Sequence, residues 1–196
     1  MKIMHACCFG CLLLTAACRQ KPSSPNTQHA ERKAADTAKY YPIAQFFKEQ
    51  IEYVDLRNFV IRQLITRDGK KDSSLINKNQ FLALSALFAK QADIFQHNKQ
   101  LYKEAVFQDL STNSYTLNYT PIDTHVTDIT NIDVLLDDET NAVKRVFIKR
   151  MYNRGDSTIT EQYSWKANKS FQLTGFTTTL NNYTASTVND VNWNDK

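Results

Sequence analysis

A carboxylate held among apolar side chains can work as a general acid, because burial raises its pKa, unless a cation shares the site and keeps it charged. Glu161 is placed for one or other of these roles. Residues 143–152 and 157–166 read as two strands, with Asn153-Arg154-Gly155-Asp156 as the turn between them. With Tyr152 opposite Ser157, Val146 faces Tyr163 and Ile148 faces Glu161. Val146, Ile148, Tyr152, Ile159, Tyr163 and Trp165 then share one side of the hairpin with Glu161. Arg150 and Lys144 lie on that side too, so a structural ion pair is a simpler expectation than acid catalysis. Asp137, Asp138 and Glu139 could offer oxygen ligands to a hard cation, but they lack the Gly-punctuated alternation of a calcium loop and read as an acidic hairpin tip. His97, after a helical stretch, and His125, in a loop, keep no metal-binding spacing with a second His or a Cys. Beyond residue 17 the glycines are Gly69, Gly155 and Gly175, too far apart for a phosphate loop or a dinucleotide fingerprint. Neither Gly-x-Ser-x-Gly nor His-Glu-x-x-His occurs. No catalytic residue, metal site or cofactor is expected.

The remaining reactive chemistry belongs to thiols near the start. The cysteines are Cys7, Cys8, Cys11 and Cys18. Lys2 precedes a mostly apolar or small stretch over 3–14, and Ala16-Ala17 comes directly before Cys18. A positive start, a short apolar stretch and small residues mark a secretion signal. The stretch is well short of the ~20 apolar residues that span a bilayer. Residues 14–18 resemble the lipobox of bacterial lipoproteins, with Thr15 where that family most often has Leu. The resemblance implies cleavage before Cys18, a diacylglyceryl group on its sulfur and an acyl chain such as palmitate on its freed amine. Cleavage removes Cys7, Cys8 and Cys11, so the mature domain has neither free thiol nor disulfide and depends on its core. Roughly 0.8 kcal/mol per buried methylene makes several acyl chains a stable anchor. Arg19 rather than Asp after the cysteine, and no acidic residue through Ser24, imply by the same resemblance an outer-membrane anchor facing the periplasm. The Asn/Thr/Lys-rich composition is similar to that of small Bacteroidota envelope lipoproteins, in which Asp36-Thr37-Ala38 and Asp156-Ser157-Thr158 would be O-glycosylation acceptors.

Three segments must carry these residues: a signal peptide over 1–17, the lipidated Cys18 with a flexible linker to 39, and a single α+β domain over 40–196. The linker holds Pro22 and Pro25 and no large apolar side chain. It reaches ~25 Å as a flexible coil. Within the domain, Ile43, Phe46, Phe47, Gln50, Ile51 and Val54 recur at helical spacing over about 42–53, with Gln50 as the polar interruption. A strand over 59–66 turns at Asp68-Gly69 into a second over 72–76. Asn77 caps a longer helix whose stripe is Phe81, Leu84, Phe88, Gln91 and Phe95, with Leu87 and Ala92 beside it. Alternation at 114–119, 132–136, 143–152 and 157–166 marks further strands. Ala167-Asn168-Lys169 is a hairpin loop, Phe171 and Leu173 follow on the apolar face, and 188–193 closes the sheet as an edge strand. The expected architecture is two N-terminal helices packed on a curved antiparallel sheet of about five to seven strands, with a half-open barrel under a helical lid and a cone-shaped sheet wrapped around a helix as alternatives.

Two helices with greasy faces on a curved sheet could enclose an apolar pocket, and Phe88, Val146, Tyr163 and Trp165 are its candidate lining. The formal net charge is +4, but the basic pairs Lys70-Lys71, Lys144-Arg145 and Lys149-Arg150 interleave with core positions. That excludes a nucleic-acid surface. Arg154-Gly155-Asp156 spells an adhesion tripeptide, yet a turn demands such residues for backbone reasons alone. The sequence points to a non-enzymatic, membrane-anchored envelope lipoprotein that binds a protein partner or maintains the envelope. A carrier or sensor of an apolar ligand such as a lipid is the alternative, and a hydrolase comes last.

Overall fold

The computed structural model describes residues 40–181 and 183–194; Cys18, the signal and the linker lie outside the described residues. The chain runs α1 (Ile43–Asp55), β1 (Ile61–Arg67), β2 (Lys70–Ile76), α2 (Lys78–His97), a 3-10 turn over 99–101, then β3 (Tyr102–Asp109), β4 (Ser114–Pro121), β5 (Ile129–Asp137), β6 (Val143–Arg154), β7 (Ser157–Lys166), β8 (Ser170–Thr179) and β9 (Thr184–Asn192). All strands join one nine-stranded sheet in the order β2-β1-β9-β8-β7-β6-β5-β4-β3, every pair antiparallel.

This corrects the expected α+β layout of two N-terminal helices on a smaller sheet. The molecule is mainly strand, the sheet has nine strands, and α2 comes after the first hairpin. The C-terminal strand is not an edge: β9 lies between β8 and β1. The unforeseen strand is β3, exposed from 103 to 109. A strand wet on both faces has no alternation to betray it.

Turn chemistry sets the hairpins. Asp68 and Gly69 both have positive φ (46° and 83°), the geometry a two-residue hairpin loop favours. Asn168 takes φ 59° between Lys166 and Ser170, as its loop demands. Between β6 and β7 only Gly155 and Asp156 turn the chain, with Gly155 at φ 57° and Arg154 opposite Ser157. The expected register of Tyr152 opposite Ser157 is therefore displaced, and Tyr152 faces Ile159 instead. The displacement preserves parity, so every residue keeps its face.

Helix α2 carries the chain from one sheet edge to the other. Eight gaps of about 4.8 Å would set the edges of a flat sheet ~38 Å apart, whereas twenty helical residues span about 30 Å. Both helices pack on the face of the sheet that carries Trp165. Asn77 starts α2 with a reciprocal cap: its side chain accepts from Gln80 N–H, and Gln80 Oε1 accepts from Asn77 N–H, both at 2.9 Å. Among the described residues, no helix is long and apolar enough to cross a membrane.

The core is aromatic. Phe88 lies 5.0 Å from both Trp165 and Phe171, centroid to centroid, and Phe47 and Trp193 each lie 5.5 Å from Trp165. A second cluster, Tyr40, Phe95, Tyr102 and Tyr119, fills the space beneath the C-terminal end of α2. Each such ring contributes roughly 1.5–3 kcal/mol by leaving water. Gln50, the polar interruption on α1, closes the side of the first cluster, around Trp165. Its Oε1 accepts from Trp165 Nε1 at 3.3 Å and from Asn168 N–H at 2.7 Å, and its Nε2 donates to Asn168 Oδ1 at 3.1 Å.

Candidate functional site

The four residues taken as pocket lining meet, but as packing. Phe88 stands edge-on to Tyr163 at 5.4 Å and to Trp165 at 5.0 Å. Val146 pairs with Trp165 across the sheet, and all four are buried. They fill the space between α2 and the sheet with one another.

Open space remains on the same face of the sheet. Leu84, Leu87, Gln91, Ile94 and Asn98 of α2 border it. Two recesses result. The first, of about 320 Å³, lies between Gln91, Ile94 and Asn98 of α2, residues 125–129 leading into β5, and Arg150 of β6. The second, of about 270 Å³, is lined by Leu84, Leu87, Tyr163, Leu173 and Gly175, with Glu161, Thr187 and Asn189 at its polar side.

Arg150 and Glu161, one lining each recess, form the divide. They are direct cross-strand partners, and Arg150 Nη1 donates to Glu161 Oε2 at 3.2 Å. Arg150 Nη2 donates to Asp128 Oδ2 at 3.0 Å. Tyr163 donates its hydroxyl to Glu161 Oε2 at 2.9 Å, and Tyr152 donates to Glu161 Oε1 at 3.4 Å. The guanidinium also sits 4.6 Å over the Tyr152 ring. Burial alone would lower the Arg150 pKa. The bonds to Asp128 and Tyr163, with the Glu161 charge, outweigh it and hold the group above its ordinary value. Burial first, then the Glu161 carboxylate, push the Tyr163 phenol well up. Glu161 thus has an ion-pair partner, Arg150. Lys144 binds instead to Asp137, at 3.0 Å.

Asp137 organises its own hairpin tip. Its Oδ1 accepts from Glu139 N–H, Thr140 N–H and the Thr140 hydroxyl. The Thr140 amide, Lys144 and the Thr140 hydroxyl hold its pKa down to about 2. His97 Nδ1 lies 2.7 Å from the Asp93 carbonyl at the end of α2, while His125 lines the first recess. No group of His, Cys, Asp and Glu among the described residues could hold a metal ion.

The wall of the first recess has a feature that the sequence could only hint at. Among the described residues, four buried side-chain polar atoms make no hydrogen bond to another protein group: Gln91 Oε1, Gln96 Oε1, Arg150 Nε and Trp193 Nε1. Two of the four belong to residues of this one wall. Gln91 is 2% exposed, and a buried, unpaired amide oxygen costs about 1–3 kcal/mol. Gln91 was visible as a polar member of an apolar stripe. Asp128 had no periodic pattern around it and gave no signal. No family model, curated protein or solved structure matches this chain. The geometry alone bears on what the site does.

Proposed function

We propose that this chain is a lipid-anchored, non-enzymatic binding protein of a bacterial cell envelope, tethered through Cys18 and held at the outer membrane facing the periplasm. Its recess beside the C-terminal half of α2 is the place where it engages a partner. The observation that carries the binding reading is the pair of unpaired buried atoms, Gln91 Oε1 and Arg150 Nε, on residues of one recess wall. Both residues line the recess, so a small turn of either side chain would bring its unpaired atom to an incoming polar group. The Glu161 carboxylate supports the non-enzymatic part, since both of its oxygens accept hydrogen bonds from Arg150, Tyr163 and Tyr152.

Expression of the full chain in a bacterium with an alkyne-labelled palmitate tests the anchor. The wild type carries label and fractionates with membranes, and Cys18→Ala loses both. A photoreactive side chain at Asn98 or His125, on the recess, tests the binding role in intact envelopes. One discrete adduct, lost in Arg150→Met, supports it. Turnover of any substrate that disappears in Glu161→Gln overturns the non-enzymatic reading.

A second reading, an apolar-ligand carrier, is favoured by the second recess, where Leu84, Leu87 and Leu173 meet Tyr163. A stoichiometric lipid-mass adduct in native mass spectrometry supports that reading, and a clean mass rejects it.

A further inference from the structure

The two edges of the sheet are unlike. β2 carries Lys70, Lys71 and Asp72, then two serines, with Leu75 as its one exposed large apolar side chain, and its charged start is the kind of sequence that keeps an edge from pairing. β3, at the opposite edge, carries Val106 and Phe107, 59% and 60% exposed, with Leu110 also exposed in the turn that follows. The outward groups of β3 can be assigned. Tyr102 stands opposite Pro121, which has no N–H, and the Tyr102 carbonyl accepts from the Tyr40 hydroxyl at 2.9 Å. Tyr102 therefore turns its backbone groups away from β4. Alternate residues of an antiparallel strand turn theirs the same way, so Glu104, Val106 and Gln108 present N–H and C=O outward.

We propose that this edge pairs antiparallel with β3 of a second copy of the chain, about a two-fold axis through Val106. Two arguments select that register. A two-fold axis normal to the sheet keeps each face on its own side, so residues of like parity must oppose and the axis must pass through a residue. Of the residues in the middle of β3, only Val106 as the centre sets Lys103 opposite Asp109 of the second copy, once at each end of the paired region. It also sets small Ala105 against large Phe107, and Val106 against its own copy. Centring on Ala105 sets Lys103 against Phe107 and Glu104 against Val106. Centring on Phe107 sets Asp109 against Ala105. Centring on Lys103 or Glu104 opposes like charges. Asp109 is fully charged for the role, because bonds from the Ser111 and Thr112 hydroxyls hold its pKa below the ordinary carboxylate range.

The self-complementarity favours a second copy over a foreign strand, and mass measurement tests it. The full chain is extracted in mild detergent, and its protein mass is read by light scattering with the detergent contribution removed. The wild type shows a concentration-dependent dimer. Val106→Pro is monomeric with unchanged circular dichroism, since its lost N–H faces away from β4. Lys103→Asp weakens the dimer roughly tenfold by setting like charges opposite each other. The exchange Lys103→Asp/Asp109→Lys restores it. If Val106→Pro fails to fold, the charge series decides alone. A wild type monomeric at about 100 µM, where micromolar affinity would show, overturns the proposal. So does a dimer that survives Val106→Pro in folded form, or a charge exchange that does not restore pairing.

Discussion

Gln50 and Gln91 occupy comparable positions, each the polar interruption in the apolar stripe of its helix, and they end in opposite states. Gln50 makes three hydrogen bonds that tie α1 to Trp165 and to the β7–β8 loop. Gln91 is almost fully buried, yet its Oε1 makes none. The contrast divides the helix-covered face in two. Around Gln50 the face is sealed by rings packed at about 5–5.6 Å. Where Leu84, Leu87, Gln91 and Ile94 border it the face is open, and an ion pair separates two recesses. The closed end carries the ring packing, and the open end keeps Gln91 Oε1 and Arg150 Nε unpaired.

The largest effect should come from the closed end. Trp165→Ala removes the ring that Phe47, Phe81, Phe88, Phe171 and Trp193 all contact. Urea unfolding should show a loss of about 3–5 kcal/mol. A loss below about 1 kcal/mol would mean that the cluster is not the centre of the core.

The glutamines test the contrast directly. Gln50→Ala leaves Trp165 Nε1 and the Asn168 amide without their acceptor and should cost about 1–3 kcal/mol. Gln91→Leu exchanges an unsatisfied buried amide for a similar apolar volume and should be neutral or stabilising. Equal losses in the two variants would erase the distinction between the ends. Arg150→Met strands Glu161 and Asp128. Because the pair is part-exposed (side chains 19% and 29%), the loss should fall to about 1–2 kcal/mol. Arg150→Met/Glu161→Leu should recover part of it, and full additivity of the two single changes would deny the coupling.

What was legible in the sequence follows the same division. Alternation reports a face only where one side is dry, so Val146, Ile148, Tyr163 and Trp165 were assigned to the core side although the β6–β7 register was displaced. β3 is wet on both sides and was invisible. The interior place of β9 was equally hidden, because strand order depends on the pairing of β1 with β9, residues far apart in the chain. Both glutamines could be seen as interruptions. Which one would be satisfied could not, since the partner of Gln50 is Asn168, 118 residues away.

Acid titration gives a local check at the β5–β6 tip. The Asp137 carboxyl is held down to about 2 in the fold, below its value in an unfolded chain. Its contribution to stability is therefore complete above about pH 4 and is lost as pH falls through about 2. The Asp137 carboxyl resonance should titrate with that low midpoint, and Lys144→Met should raise it. A midpoint near the ordinary carboxylate value would mean that the Thr140 and Lys144 contacts do not persist in solution.

The smallest expected effect concerns a gap at the open end. Gly175 stands opposite Glu161 on β8 and lines the apolar recess. A Cβ built there would meet nothing within 4 Å, and its φ lies outside the left-handed range. Glycine inside a strand sacrifices backbone entropy and packing. On stability alone, Gly175→Val should therefore gain up to about 0.5 kcal/mol. The added side chain would also occupy part of the recess between Leu84, Leu87 and Leu173. If the variant melts higher and still takes up an apolar ligand that the wild type binds, the gap is incidental. If it melts higher and loses that ligand, the missing side chain is what keeps the second recess open.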